Sequence, residues 1–232
     1  MFDISDAHHF RKMIAGWCMI LSPVLALAAT IVSPQLHTDE AAQLAVVGAH
    51  PDRWYLSNLF ALAAIVLAVP AVLGLMHMLR ERRAAVGHVG GGLALFGLLM
   101  LMAQTAIAMV AWQMVAGGDQ AQMAALWDRV NTTTGTFIPF FLGQFAFGLG
   151  FLVLAWGLWM ARAVHWTMAL CLAAGAVAVN VGFPTASLTL AIIGAAILVV
   201  GLGSIGRMVL AETDEDWEHT PEFTGFGPAT AS

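Results

Sequence analysis

The chain has 232 residues, of which 60% are hydrophobic and only 10% charged, with a formal net charge of −5. Mean hydropathy is +0.83, well above that of soluble globular domains, and argues against a water-soluble fold. Asp, Glu, Lys and Arg are absent from 13–38, 54–79, 84–118, 130–161 and 163–206. Ion-coupled transport and proton pumping normally place ionisable groups at membrane depth, so neither they nor hydrolysis is expected, and no enzymatic activity is predicted.

A helix crosses a hydrocarbon core about 30 Å thick with about 20 apolar residues. Six segments meet that length, at about 13–32, 54–79, 89–115, 134–161, 166–182 and 187–206. They are continuously apolar and do not alternate, so they read as helices rather than barrel strands. The predicted fold is all-α, a polytopic membrane bundle of six transmembrane helices in three consecutive hairpins. Residues 1–12 precede it, 13–208 form it, and 209–232 make an acidic tail.

The first segment opens after Arg11-Lys12 and contains Ala26-Leu27-Ala28, which mimics a signal-peptide cleavage site. Its apolar character continues to Val32, so a retained first span is expected. Cys18 and Cys171 both fall inside predicted spans and read as buried hydrophobes rather than a disulfide framework. Pro70 and Pro139 interrupt the second and fourth segments and are read as kinks. Drawn with six spans, Arg11, Lys12, Arg80, Arg82, Arg83, Arg162 and Arg207 share one side, against Arg53 and Arg129 on the other. The positive-inside rule then puts both termini in the cytoplasm of a bacterial cell membrane. Trp54, Tyr55, Trp127, Trp159 and Trp166 fall where an aromatic belt is expected.

The first two hairpins share a pattern. Their loops read Asp39-Glu40-Ala41-Ala42-Gln43 and Asp119-Gln120-Ala121-Gln122-Met123, and each ends in an Asp-Arg pair, Asp52-Arg53 and Asp128-Arg129. Two parallel repeats about an axis along the membrane normal would give that pattern. In the second loop Met123, Leu126, Trp127 and Val130 recur at helical spacing and predict a short amphipathic helix.

Few residues carry candidate chemistry. His77, His88 and His165 lie near the cytoplasmic ends of spans, where imidazoles could ligate a haem iron or a chlorophyll-type magnesium. Without such a group, no cofactor and no metal are expected. Gly201-Leu202-Gly203-Ser204-Ile205-Gly206 matches the dinucleotide fingerprint, but at the end of a span its glycines instead permit close helix approach. Gln104, Gln144 and Asn180 are uncharged polar groups at depth and read as interhelical hydrogen-bonding glue, with Gln104 and Gln144 facing each other. The acidic tail is expected to be disordered in isolation, with Trp217, Phe223 and Phe226 as anchors for a basic cytoplasmic partner.

Arg11-Lys12-x-x-Ala15-Gly16, the Asp39-Glu40-Ala41-Ala42 loop, His50-Pro51-Asp52-Arg53-Trp54 and Leu79-Arg80-Glu81-Arg82 together resemble an uncharacterised, actinobacterial-type family of six-span integral membrane proteins. The resemblance covers about residues 10–210; it implies a fold and no activity. The expected partners are the lipid bilayer and other membrane subunits, with no nucleic acid. The expected role is an accessory or scaffold subunit; the alternatives are a binder of an apolar, lipid-like ligand and a haem or pigment protein.

Overall fold

A computed structural model describes residues 7–117 and 119–219. Among them are nine α-helices: α1 (Ala7–Val32), α2 (Glu40–Ala49), α3 (Pro51–Met78), α4 (Ala84–Met114), α5 (Gln120–Thr132), α6 (Thr134–Met160), α7 (Trp166–Gly182), α8 (Leu188–Ala211) and α9 (Asp214–Trp217). Five of them, α1, α3, α4, α6 and α8, are long and apolar enough to cross a membrane. α7 is equally apolar but has 17 residues, about 26 Å of helix. Pro23, Pro70 and Pro139 all lie inside continuous helices.

The helices pack as three antiparallel hairpins, α1 on α3, α4 on α6 and α7 on α8, and α8 closes back on α1. The first two hairpins repeat one plan. A long helix leads to a short one whose N-cap is an aspartate, Asp39 for α2 and Asp119 for α5, and a second long helix follows. The amphipathic helix predicted in the second loop is α5, and its Trp127 is buried. α2 and α5 touch each other, and Asn131 Nδ2 donates to Glu40 at 3.1 Å. The third hairpin instead turns tightly, with Ala186 left-handed at φ 52° and Ser187 N–H bonded to the Gly182 carbonyl at 2.9 Å.

Lipid tails are as apolar as leucine, so helices in a bilayer associate through fit and interhelical hydrogen bonds. Both are visible here. Ser22 of α1 donates to the Ala64 carbonyl of α3 at 3.0 Å, and Ser57 of α3 donates to the Ala29 carbonyl of α1 at 2.9 Å. Gln144 of α6 donates to the Asn180 carbonyl of α7 at 3.2 Å. Gln104 does not face Gln144; it is exposed on α4. α4 is apolar all round, so its sequence carried no signal of which side would turn inward.

Fit comes from small residues. A Cβ added at Gly201 would lie 2.7 Å from the backbone N of Leu172, and one at Gly206 would lie 2.7 Å from the Gly16 carbonyl oxygen. These glycines seat α8 against α7 and α1. Gly203, expected to share that role, has no atom within 4 Å of its added Cβ. It lies off both contact faces.

The contrast between neighbouring glycines is directly measurable. Gly201→Ala and Gly206→Ala each push a methyl into backbone, and overpacking of that kind costs about 1–3 kcal/mol. Gly203→Ala meets nothing and gains helix propensity. Thermal unfolding in detergent is expected to show lower Tm for the first two variants and an unchanged or higher Tm for the third.

Candidate functional site at the charged end of the bundle

The densest polar cluster lies where the start of α1, the end of α3 and the segment after α8 meet. On α1, His8, His9 and Lys12 are three and four positions apart and share a face. His77 lies in the last turn of α3, and Arg80 follows three residues later, just past the helix end. α8 ends at Ala211, and Thr213 then caps α9, its hydroxyl accepting from Asp216 N–H at 3.1 Å. That cap turns the acidic segment back under the bundle.

Lys12 is only 5% exposed. A lysine so deeply placed needs both charge and hydrogen-bond partners. It has both: Nζ donates to the Glu212 carbonyl at 2.9 Å and pairs with the Asp214 carboxylate. His9 Nδ1 lies 3.1 Å from Asp214 Oδ2, and His8 Nδ1 lies 2.5 Å from Glu218 Oε1. Further out, His219 Nδ1 is 3.1 Å from Glu81.

Trp217 is the apolar centre of this clasp, 3% exposed. Its indole stacks on the His77 ring at 4.6 Å between centroids and 27° between planes. Its carbonyl lies 3.0 Å from His77 Nε2 and 3.4 Å from both terminal nitrogens of Arg80. A carbonyl only accepts, so the His77 proton sits on Nε2.

The carboxylates differ sharply in environment. Hydrogen bonding from Lys12, then from His9, holds Asp214 below the usual carboxylate range. A hydrogen bond from His8 does the same for Glu218. Glu212 goes the other way: burial, then the charge of Asp216, pushes it up to about 7 against the opposing pull of Lys12. Its Oε2 is buried without a hydrogen-bond partner among the described residues.

The arrangement corrects the expectation for the tail. Residues 212–219 are folded, and Trp217 is an anchor in the chain's own bundle rather than one exposed for a partner. Repulsion among its acids is offset by His8, His9, Lys12 and Arg80. Phe223 and Phe226 lie outside the described residues. His77 is engaged by Trp217. His88 is exposed with its Nδ1 2.7 Å from the Ala84 carbonyl, and His165 caps α7, its Nδ1 2.7 Å from the Thr167 hydroxyl. Each ring thus has a local partner. The described residues hold no group of three or more His, Cys, Asp or Glu that could bind a metal ion. The residues that sequence reasoning missed, Lys12, Arg80, Glu212 and Asp214, find partners as many as 205 positions away. Only the unusual coincidence of a His-His-x-x-Lys start with an acidic end hinted at them.

No protein family, no curated protein and no solved structure matches the chain.

Two outcomes follow from the clasp. Between pH 4.5 and about 7 docked Glu212 holds a proton that a free tail releases, so this group weakens docking as pH rises through that window. The lowered Asp214 and Glu218 act oppositely, their contribution being complete above the ordinary carboxylate range and lost as pH falls below it. Glu212→Gln is expected to raise hydrogen-exchange protection factors for 213–218 at pH 8, with the gain vanishing near pH 4.5. Trp217→Ala removes the buried anchor, a change costing about 3–5 kcal/mol in cores. Protection of the same segment should collapse while the helical circular-dichroism signal of the bundle stays intact.

Proposed function

We propose that this chain is a non-catalytic, multi-pass membrane protein that acts as an accessory or scaffold subunit, packing against other membrane components. The observation that carries the reading is the filled interior. Leu75, Met78, Leu79, Leu154, Leu158, Leu172 and Ile205 are all fully buried where the hairpins converge. With side chains occupying the middle of the bundle, recognition falls to the outer surface. There α6 carries Phe137, Phe141 and Phe145 at four-residue intervals, each at least half exposed.

In this reading α7 is a sixth span and both termini are cytoplasmic. Arg82 Nη1 donates to the Ala161 carbonyl at 3.1 Å, just before α7, and Arg80 reaches Trp217, just after α8. The α7–α8 hairpin therefore leaves from and returns to one end of the bundle. α8 has 24 residues, and Gly175, Gly182 and Gly201 mark contacts along most of the shared length. A 17-residue helix is at the short end for a span, a mismatch met by local thinning of the bilayer. The basic residues collect at the end with Lys12, Arg80 and Arg82, which supports a cytoplasmic location for that end.

Purification of the tagged full chain in mild detergent tests the role. The expected result is an assembly larger than the monomer with a second membrane protein at fixed stoichiometry. A monodisperse monomer recovered free of other proteins from its native membrane would overturn it.

A further inference from the structure

The outer surface is not uniform. Between α6 and α7 runs a groove in two connected parts that share Trp159 and Trp166. The apolar part, about 440 Å³, has a floor of small residues, including Ala155 and Ala169, and walls that include Trp156, Trp159, Trp166 and Leu170. The other part, about 410 Å³, opens at the helix ends, where Arg162 and His165 join its lining. Each volume falls within the ~300–1,000 Å³ of small-molecule sites.

Among the described residues Arg162 is the single formal charge lining either part. Its side chain is exposed, while its backbone is left-handed at φ 54°, the position that closes α6. Trp159 and Leu158 carbonyls accept from the Arg162 and Ala163 N–H groups at 3.0 and 3.1 Å, which completes the reversal. Glycine or asparagine suits that position best, and an arginine there is strained. Arg82 adds a second cation beside the same turn through its bond to the Ala161 carbonyl. Among the described residues no carboxylate lines the groove.

We propose that this groove is a binding site for an anionic glycerophospholipid. The phosphate sits at Arg162, at the membrane–water boundary, and one acyl chain lies along the alanine floor between the tryptophans. The site needs α6 and α7 in the bilayer but does not depend on the subunit role proposed above. Tryptophan rings suit the boundary because one end is apolar and the other can face water. The charge selects the headgroup and the alanine floor accepts the chain. A zwitterionic lipid satisfies the apolar part alone.

Tryptophan quenching in vesicles tests it with the full chain. Brominated phosphatidylglycerol and brominated phosphatidylcholine are titrated separately into phosphatidylcholine vesicles holding the protein. One arginine near a membrane surface contributes enough for about a fivefold preference for the anionic lipid. Arg162→Gln should reduce that ratio to about one, and Arg162→Lys should restore most of it. Arg162→Gly separates binding from folding: relief of the left-handed backbone keeps or raises Tm, while the preference is lost. Trp166→Ala should weaken quenching by both lipids. Equal quenching by the two lipids in the parent chain, or a preference that survives Arg162→Gln, overturns the proposal.

Discussion

Helices that carry no charge, surrounded by lipid tails as apolar as themselves, gain nothing hydrophobic from meeting one another. They must be held by closeness and by the few hydrogen bonds their small polar residues can make. Four seams of this bundle show that constraint directly. The α1–α3 seam uses the reciprocal serines Ser22 and Ser57, each donating to a carbonyl of the opposite helix. The α4–α6 seam uses glycines, and an added Cβ at Gly97 would fall 2.5 Å from the Phe147 backbone N. The α7–α8 and α1–α8 seams use Gly201 and Gly206 in the same way. Dispersion summed over such approaches replaces the hydrophobic term that would hold a soluble core.

Charge excluded from the spans has to collect at their ends, and there it does a different job. The first turns of α1 and the segment after α8 lie about 200 residues apart in sequence, yet close contact of α1 with α8 makes them neighbours. Once adjacent, a basic start and an acidic end can neutralise each other. Lys12 supplies the buried member of that set, and Trp217 gives the segment apolar area to bury. Glu212 stands apart, its carboxylate pushed into a poorly solvated position by the same folding that satisfies Asp214. Docking therefore has an opposing element within it, and the balance between these carboxylates sets its response to pH.

The helices themselves were readable because length and apolarity suffice to define them. α3, α4, α6 and α7 begin or end within a few residues of the sequence expectation. α1 starts earlier than expected, at Ala7, because Arg11 and Lys12 look like an aqueous boundary. Lys12 is in fact inside the bundle, satisfied by partners that no local pattern announces. Which face turns inward was not readable for the same reason the spans were obvious. With apolar residues all round, Gln104 outside and Gln144 inside look alike, as do Gly201 and Gly203. Asp39 caps α2 much as Asp119 caps α5, so the loop pattern shared by the first two hairpins marks two short helices rather than one.

The seam between the second and third hairpins shows what happens where the fitting residues run short. It is the least extensive of the six around the ring. Its closest approach comes toward one end, where Gly148 admits Asn180 and Gln144 donates to the Asn180 carbonyl. Toward the other end α6 places Trp156 and Trp159 at the edge, and α7 opens with Trp166, all more than half exposed. Rings of that size cannot enter a seam floored by Ala155 and Ala169, so they stand along its rim and hold a trough open to the outside. A trough of this kind would be a packing defect if it lay inside the bundle. On the lipid-facing side the bilayer can fill it, and in the site proposed above the arginine at its end selects the lipid.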